Sequence, residues 1–215
     1  ISYDIVVMPL FVDHIHKSFD SIRALTEISF EVGDGELFGL IGPDGAGKTT
    51  LFRIMASLMI PDGGSCTIQG FDVVKDYREI RKIIGYMPGR FSLYMDLSVE
   101  ENLGFYARVF GTSVSENYEL IRDVYEQIAP FKKRLARKLS GGMKRRLGIA
   151  QALIDNPSLI IVDEPTTGLD QEERIRFRNL LSDLGRSETI IILSTHIVGD
   201  ISSTCNQMAL LNEGS

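Results

Sequence analysis

The sequence predicts an α/β fold built on a mostly parallel sheet, and three observations carry that prediction. Unalternating apolar runs stand at 37–41, 159–162 and 189–193, the signature of strands buried on both faces. Helix-period stripes follow the first two, through Leu51, Ile54, Met55 and Leu58 and through Phe177, Leu180, Leu181 and Leu184. Each run ends in residues able to do chemistry, where open parallel sheets place their ligands.

In chain order, short β-like runs at 5–8, 10–15 and 25–32, with turn chemistry at Gly33-Asp34-Gly35, read as an N-terminal antiparallel β subdomain. Within it Phe19 is either a core side chain or a platform for a stacked base. His14 and His16 share a strand face without a third ligand nearby and read as solvated.

The stretch Gly42-Pro43-Asp44-Gly45-Ala46-Gly47-Lys48-Thr49-Thr50 follows, between a buried strand and a helix. It matches G-x-x-x-x-G-K-[ST], a loop whose backbone N–H groups wrap a phosphate chain and whose glycines allow close approach. Lys48 can reach the β- and γ-phosphates, and the Thr49 hydroxyl can ligate Mg²⁺. The loop therefore predicts a P-loop NTPase core and a nucleoside triphosphate.

Beyond the first helix come a turn at Pro61-Asp62-Gly63-Gly64, a strand at 65–69, a helix at 77–82 and a strand at 83–87 closed by Pro88-Gly89. Ser98 opens a helix with the capping box Ser98-x-x-Glu101 and the stripe Leu103, Tyr106, Ala107, Phe110, stopped at Gly111. A second helix carries Ile121, Val124, Tyr125 and Ile128 and is ended by Pro130. These helices interrupt the α/β alternation as an inserted α-helical subdomain at about 91–138, within a single domain spanning 1–215. Eight basic side chains between Lys132 and Arg146 read as a solvated, partner-facing surface.

Leu139-Ser140-Gly141-Gly142-Met143 precedes a helical run, with Ser140 placed as N-cap and Gly141 and Gly142 opening the helix N-terminus to an anion. Such a second phosphate-facing start serves the same nucleotide only if it folds close to the loop, or if two copies of the chain face each other. After 159–162 stand Asp163, fit to hold Mg²⁺, and Glu164, placed to polarise an attacking water. Thr166 to Asp170 form a turn, and Ser194, Thr195 and His196 close the strand at 189–193, with His196 in reach of phosphate.

Composition narrows the classes. A 215-residue chain with a formal net charge of −6 argues against a nonspecific nucleic-acid binder coated in positive charge. Cys66 and Cys205 form no C-x-x-C pair and read as small apolar fillers in a reducing compartment. No apolar run reaches the ~18 residues of a membrane span, so any membrane role runs through a partner. The chain opens on Ile1 and stops just after a strand-like run at 208–211, which suggests a piece truncated from a longer protein.

Together these motifs resemble the nucleotide-binding domain of ATP-binding cassette (ABC) transporters over essentially the whole chain. GPDGAGKT is similar to the Walker A loop, LSGGM to the ABC signature, LIIVDEP to Walker B, TTGLD to the D-loop and His196 to the switch histidine. The resemblance implies an ATPase acting as a head-to-tail dimer of cassettes, each ATP and Mg²⁺ held by Lys48, Thr49 and Asp163 of one protomer. Ser140, Gly141 and Gly142 of the other would complete the cage, Asp170 would also serve in binding the nucleotide, and Phe19 would stack on adenine. It also implies a transmembrane permease as partner, a place on the cytoplasmic face of the membrane, no direct membrane insertion and no nucleic acid. Met143 followed by Lys-Arg-Arg is similar to the branch that drives exporters of drugs, lipids or polysaccharides.

One position departs from the family pattern. Where the family carries a glutamine that helps to bind Mg²⁺ and the attacking water, this chain has Gly89, followed by Arg90. ATP binding is expected to survive this change while Mg²⁺ positioning and turnover weaken. Two other readings remain open at the level of sequence: a soluble ABC ATPase acting on ribosome or DNA, and a regulatory cassette that barely hydrolyses ATP.

Overall fold

The computed structural model describes residues 9–90, 92–184, 189–202 and 204–215. The strand expected at 5–8 and the stop expected at Gly185 lie outside them.

The central sheet is parallel throughout its five strands, in the order β6-β7-β8-β3-β9: β3 (Leu37–Ile41), β6 (Ile84–Met87), β7 (Leu159–Val162), β8 (Ile190–Thr195) and β9 (Gln207–Leu210). Alternate residues of its inner strands enter opposite cores. Ile160, Val162, Ile191 and Leu193 face one side, and Leu159, Ile161, Ile190 and Ile192 the other. This two-sided burial is why the runs carry no polar alternation.

One face is covered by α1 (Lys48–Met55), α2 (Tyr77–Ile83) and a second, antiparallel sheet. That sheet has the order β2-β1-β4-β5, from β1 (Leu10–Phe19), β2 (Ile22–Val32), β4 (Gly63–Ile68) and β5 (Phe71–Asp72). Half of it therefore comes from after the phosphate loop. Gly63 and Gly64, expected in a turn, instead begin β4, where the His16 ring packs so closely on Gly63 that a Cβ there would lie 2.2 Å from it. The first helical stripe also ends early: α1 stops at Met55, and Leu58 is exposed.

The opposite face carries α5 (Gly141–Leu153), α6 (Gln171–Leu184), α7 (Val198–Ser202) and the inserted helices α3 (Val99–Val109) and α4 (Tyr118–Tyr125). Leu103, Ala107, Ile121, Val124 and Ile128 join the same apolar cluster as the sheet, so the insert has no separate core. Phe110, expected in the α3 stripe, is 40% exposed, and Pro130 opens a 3₁₀ turn at Ala129–Phe131. Ser98 caps α3 as expected: its Oγ accepts from Glu101 N at 3.2 Å and its own N–H donates to Glu101 Oε2 at 2.7 Å.

Burial pushes both thiols, Cys66 and Cys205, up to about 12, which suits unreactive fillers. No helix among the described residues is long and apolar enough to cross a membrane.

Candidate functional site

Four strand ends meet at one edge of the parallel sheet. The loop after β3 stands beside His196 after β8, Asp163 and Glu164 after β7, and Pro88-Gly89 after β6. The order β6-β7-β8-β3 places them as neighbours.

Local sterics set the shape of the phosphate loop. Gly47 has φ +104°, and a Cβ there would lie 2.3 Å from the Ala24 carbonyl of β2. At Gly42 a Cβ would lie 2.2 Å from the Leu211 carbonyl. Both positions need glycine because backbone crosses them. Lys48, buried at the start of α1, donates from Nζ to Gly42 O at 2.7 Å and Pro43 O at 3.1 Å and pairs with Glu164 Oε1 at 3.2 Å.

Asp163 is 2% exposed and doubly anchored: Thr49 Oγ1 donates to Oδ2 at 2.8 Å and Ser194 Oγ to Oδ1 at 2.6 Å. Thr49 and Asp163 thus present two hard oxygens side by side, a donor set that fits Mg²⁺. Ser194 also accepts from the Glu164 backbone N–H at 3.0 Å. Glu164 itself has φ +47°, a left-handed conformation uncommon for a residue with a side chain. Its Oε2 lies 3.0 Å from His196 Nδ1 and accepts from Thr167 Oγ1 at 3.1 Å. Asp44 completes this group, with ligand atoms of Asp44, Glu164 and His196 all within 4.8 Å of one another.

Two adjoining hollows share these residues. One of about 570 Å³ is lined by Thr49, Asp163, Glu164, His196, Gly89 and Arg90 among others. The other, about 310 Å³, runs from Asp44 through Gly45, Ala46, Gly47, Lys48, Thr49 and Thr50 to Ala24 and Phe19. Phe19 is 44% exposed, so it is no core residue, and Lys17 Nζ sits 5.8 Å from its ring centroid.

Other expected residues stand apart. Ser140 caps α5 by accepting from Met143 N at 3.2 Å, and neither hollow includes Ser140, Gly141 or Gly142. A Cβ at Gly142 would lie 2.3 Å from Glu173 Oε1 on α6, the end of a flexible side chain that can swing aside. Asp170 accepts from Glu173 N at 2.8 Å as the cap of α6.

The basic stretch needs a correction. Arg145 and Arg146 are 4% and 7% exposed, not solvated. Arg146 Nε donates to Gln127 Oε1 at 2.7 Å. Arg145 reaches under the site, donating to Gly89 O at 3.1 Å and Thr167 O at 3.3 Å. Burial holds the Arg145 guanidinium below its usual range, opposed by the charges of Asp163 and Glu164. Tyr86 was also missed as a lining residue; burial and the Asp163 charge push its hydroxyl up to about 12.

A phosphate loop, a buried oxygen pair for a hard cation and a strand-end carboxylate beside a histidine define a P-loop NTPase cassette. Residues 25–167 match the ABC transporter family. The chain belongs to that family. It is 39% identical over 194 residues to the probable multidrug ABC transporter ATP-binding protein YbhF of Escherichia coli, covering 89% of this chain and 33% of that protein. It is 38% identical over 211 residues to the Nod factor export ATP-binding protein I of Burkholderia thailandensis, covering 97% and 69%. The chain thus spans only about a third of YbhF. Among solved structures, the dimeric bacterial ABC transporter cassette MJ0796 superposes with a TM-score of 0.83 at 25% identity over 95% of both chains. An ATP-binding subunit of an ABC transporter superposes at 0.84 and 27% identity over 97% of this chain and 87% of its own.

Proposed function

We propose that this chain binds and hydrolyses ATP as the motor cassette of an exporter-type ABC transporter. The observation that carries the reading is the convergence of Lys48, Glu164, Thr49 and Asp163 within hydrogen-bond or ion-pair distance on one sheet edge. The names of the two relatives, a probable multidrug ABC transporter ATP-binding protein and a Nod factor export ATP-binding protein, support the exporter direction.

Lys48 and the backbone N–H groups of the loop at 44–50 hold the β- and γ-phosphates. Phe19, at the far end of the same hollow, offers its exposed ring to the adenine base. Thr49 and Asp163 hold Mg²⁺, which offsets phosphate charge. Glu164 accepts a hydrogen bond from the attacking water, whose oxygen bonds to the γ-phosphorus as the bond to the ADP oxygen breaks. His196 fixes Glu164 and faces the γ-phosphate. Positioning and electrostatics supply nearly all the acceleration in this class of reaction.

Ser140, Gly141, Gly142 and Asp170 act on the nucleotide of a second cassette, and a membrane permease takes up the motion at the cytoplasmic face. The direct test is steady-state phosphate release with Mg·ATP. Wild type is expected to turn over, and Glu164→Gln to bind ATP but lose at least about a hundredfold in rate. Equal rates for the two proteins would remove Glu164 from the mechanism, and no release by wild type would remove the ATPase reading.

A further inference from the structure

Beneath the site lies a second, buried link between the same two strand ends. Asp200 on α7 is 3% exposed, and its Oδ2 accepts a hydrogen bond of 2.5 Å from Thr166 Oγ1, which is 2% exposed. Thr166 stands two residues past Glu164, and Asp200 four residues past His196. The other carboxylate oxygen, Oδ1, finds no hydrogen-bond donor among the described residues and sits 3.7 Å from Arg178 Nη1 of α6. Arg178 in turn donates to Gly199 O at 2.7 Å. A carboxylate this deep is costly to bury, and an apolar residue of its size would fill the place at lower cost.

The chain from Glu164 to Thr166 and the chain from Asp200 back to His196 form a ring closed by two contacts, Thr166–Asp200 and His196–Glu164. The His196–Glu164 closure is open to water, since the His196 side chain is 40% exposed. Hydrogen bonds in that setting hold weakly, whereas the dry closure persists. Glu164 also keeps φ +47°, a conformation that endures only where its surroundings over-determine it.

We propose that Asp200 is a positioning residue for hydrolysis. By gripping Thr166 it locks the turn after β7 against α7 and so holds Glu164 and His196 in register. This rests on the ATPase reading above.

The test compares three variants of the intact protein. Thr166→Val removes the donor at constant volume, Thr166→Ser keeps it, and Thr166→Val with Asp200→Leu replaces the pair by apolar groups, so that folding is retained even if the single valine variant unfolds. Both linkless variants are expected to lose about tenfold in kcat with KM for ATP within twofold of wild type, and the serine variant to recover the rate. The His196 imidazole ¹⁵N resonance, assigned by its loss in His196→Gln, is expected to move in the double variant and return in the serine variant. Wild-type turnover matched by the double variant overturns the proposal alone, as does an unmoved His196 resonance, a serine variant that stays slow, or a loss expressed in KM. Absence of wild-type turnover overturns the ATPase reading first and the proposal with it.

Discussion

At Gly89 a Cβ would lie 3.4 Å from the Asp163 carbonyl and 3.6 Å from its Oδ2, ordinary contact distances that leave room for a side chain beside Thr49 and Asp163. Arg90 lines the same hollow with a charge that repels a cation. Gly89→Gln is therefore expected to raise hydrolysis tens- to hundreds-fold, about 2–4 kcal/mol of transition-state stabilisation, and to lower the Mg²⁺ concentration needed for half-maximal rate. Phosphate release measured across a Mg²⁺ titration checks it; an unchanged curve would mean that Gly89 costs this cassette nothing. Single residues were legible in the sequence where spacing along the chain implies a shared loop, as for Lys48 and Thr49, or a strand end, as for Asp163 and His196. Arg145 and Asp200 were not. Their roles come from backbone carbonyls and a hydroxyl distant in sequence, and a basic residue in a basic run looks like surface until the fold buries it.

Helix α3 shows how far one element can be read from its own letters. Its start depends on the reciprocal Ser98–Glu101 bonds, both made within four residues, and the spacing alone announces them. Ser98→Ala is expected to lower the unfolding free energy by about 1 kcal/mol, read from the urea midpoint at constant m-value. A midpoint equal to wild type would show that packing alone fixes this helix. Asn102, one turn further on and fully buried, is silent in the sequence, yet it donates to Tyr94 O at 3.0 Å and to Ser98 O at 2.9 Å and accepts from Tyr94 N at 2.9 Å. Strands were harder. Both-sided burial made β7 and β8 plain, but the pairing of β4 with β1 is a choice of tertiary partner that local chemistry does not reveal.

Across the molecule, the signature segment at Ser140 lines neither of the two hollows beside the phosphate loop, so a nucleotide that touched both would draw two cassettes together. Glu164→Gln with Mg·ATP is expected to double the mass measured by light scattering, and adding Ser140→Arg to return it to the starting value. No increase with ATP would count against a paired cassette.

Arg145 gives that assembly a mechanical property. One guanidinium grips the carbonyl at position 89 and the carbonyl at position 167, so the loop beyond β6 and the turn beyond β7 are pinned to the same shaft, α5. A tug on either rim of the floor is therefore felt at the other and at the helix whose tip is Ser140, much as a tie-rod makes two wheels steer together.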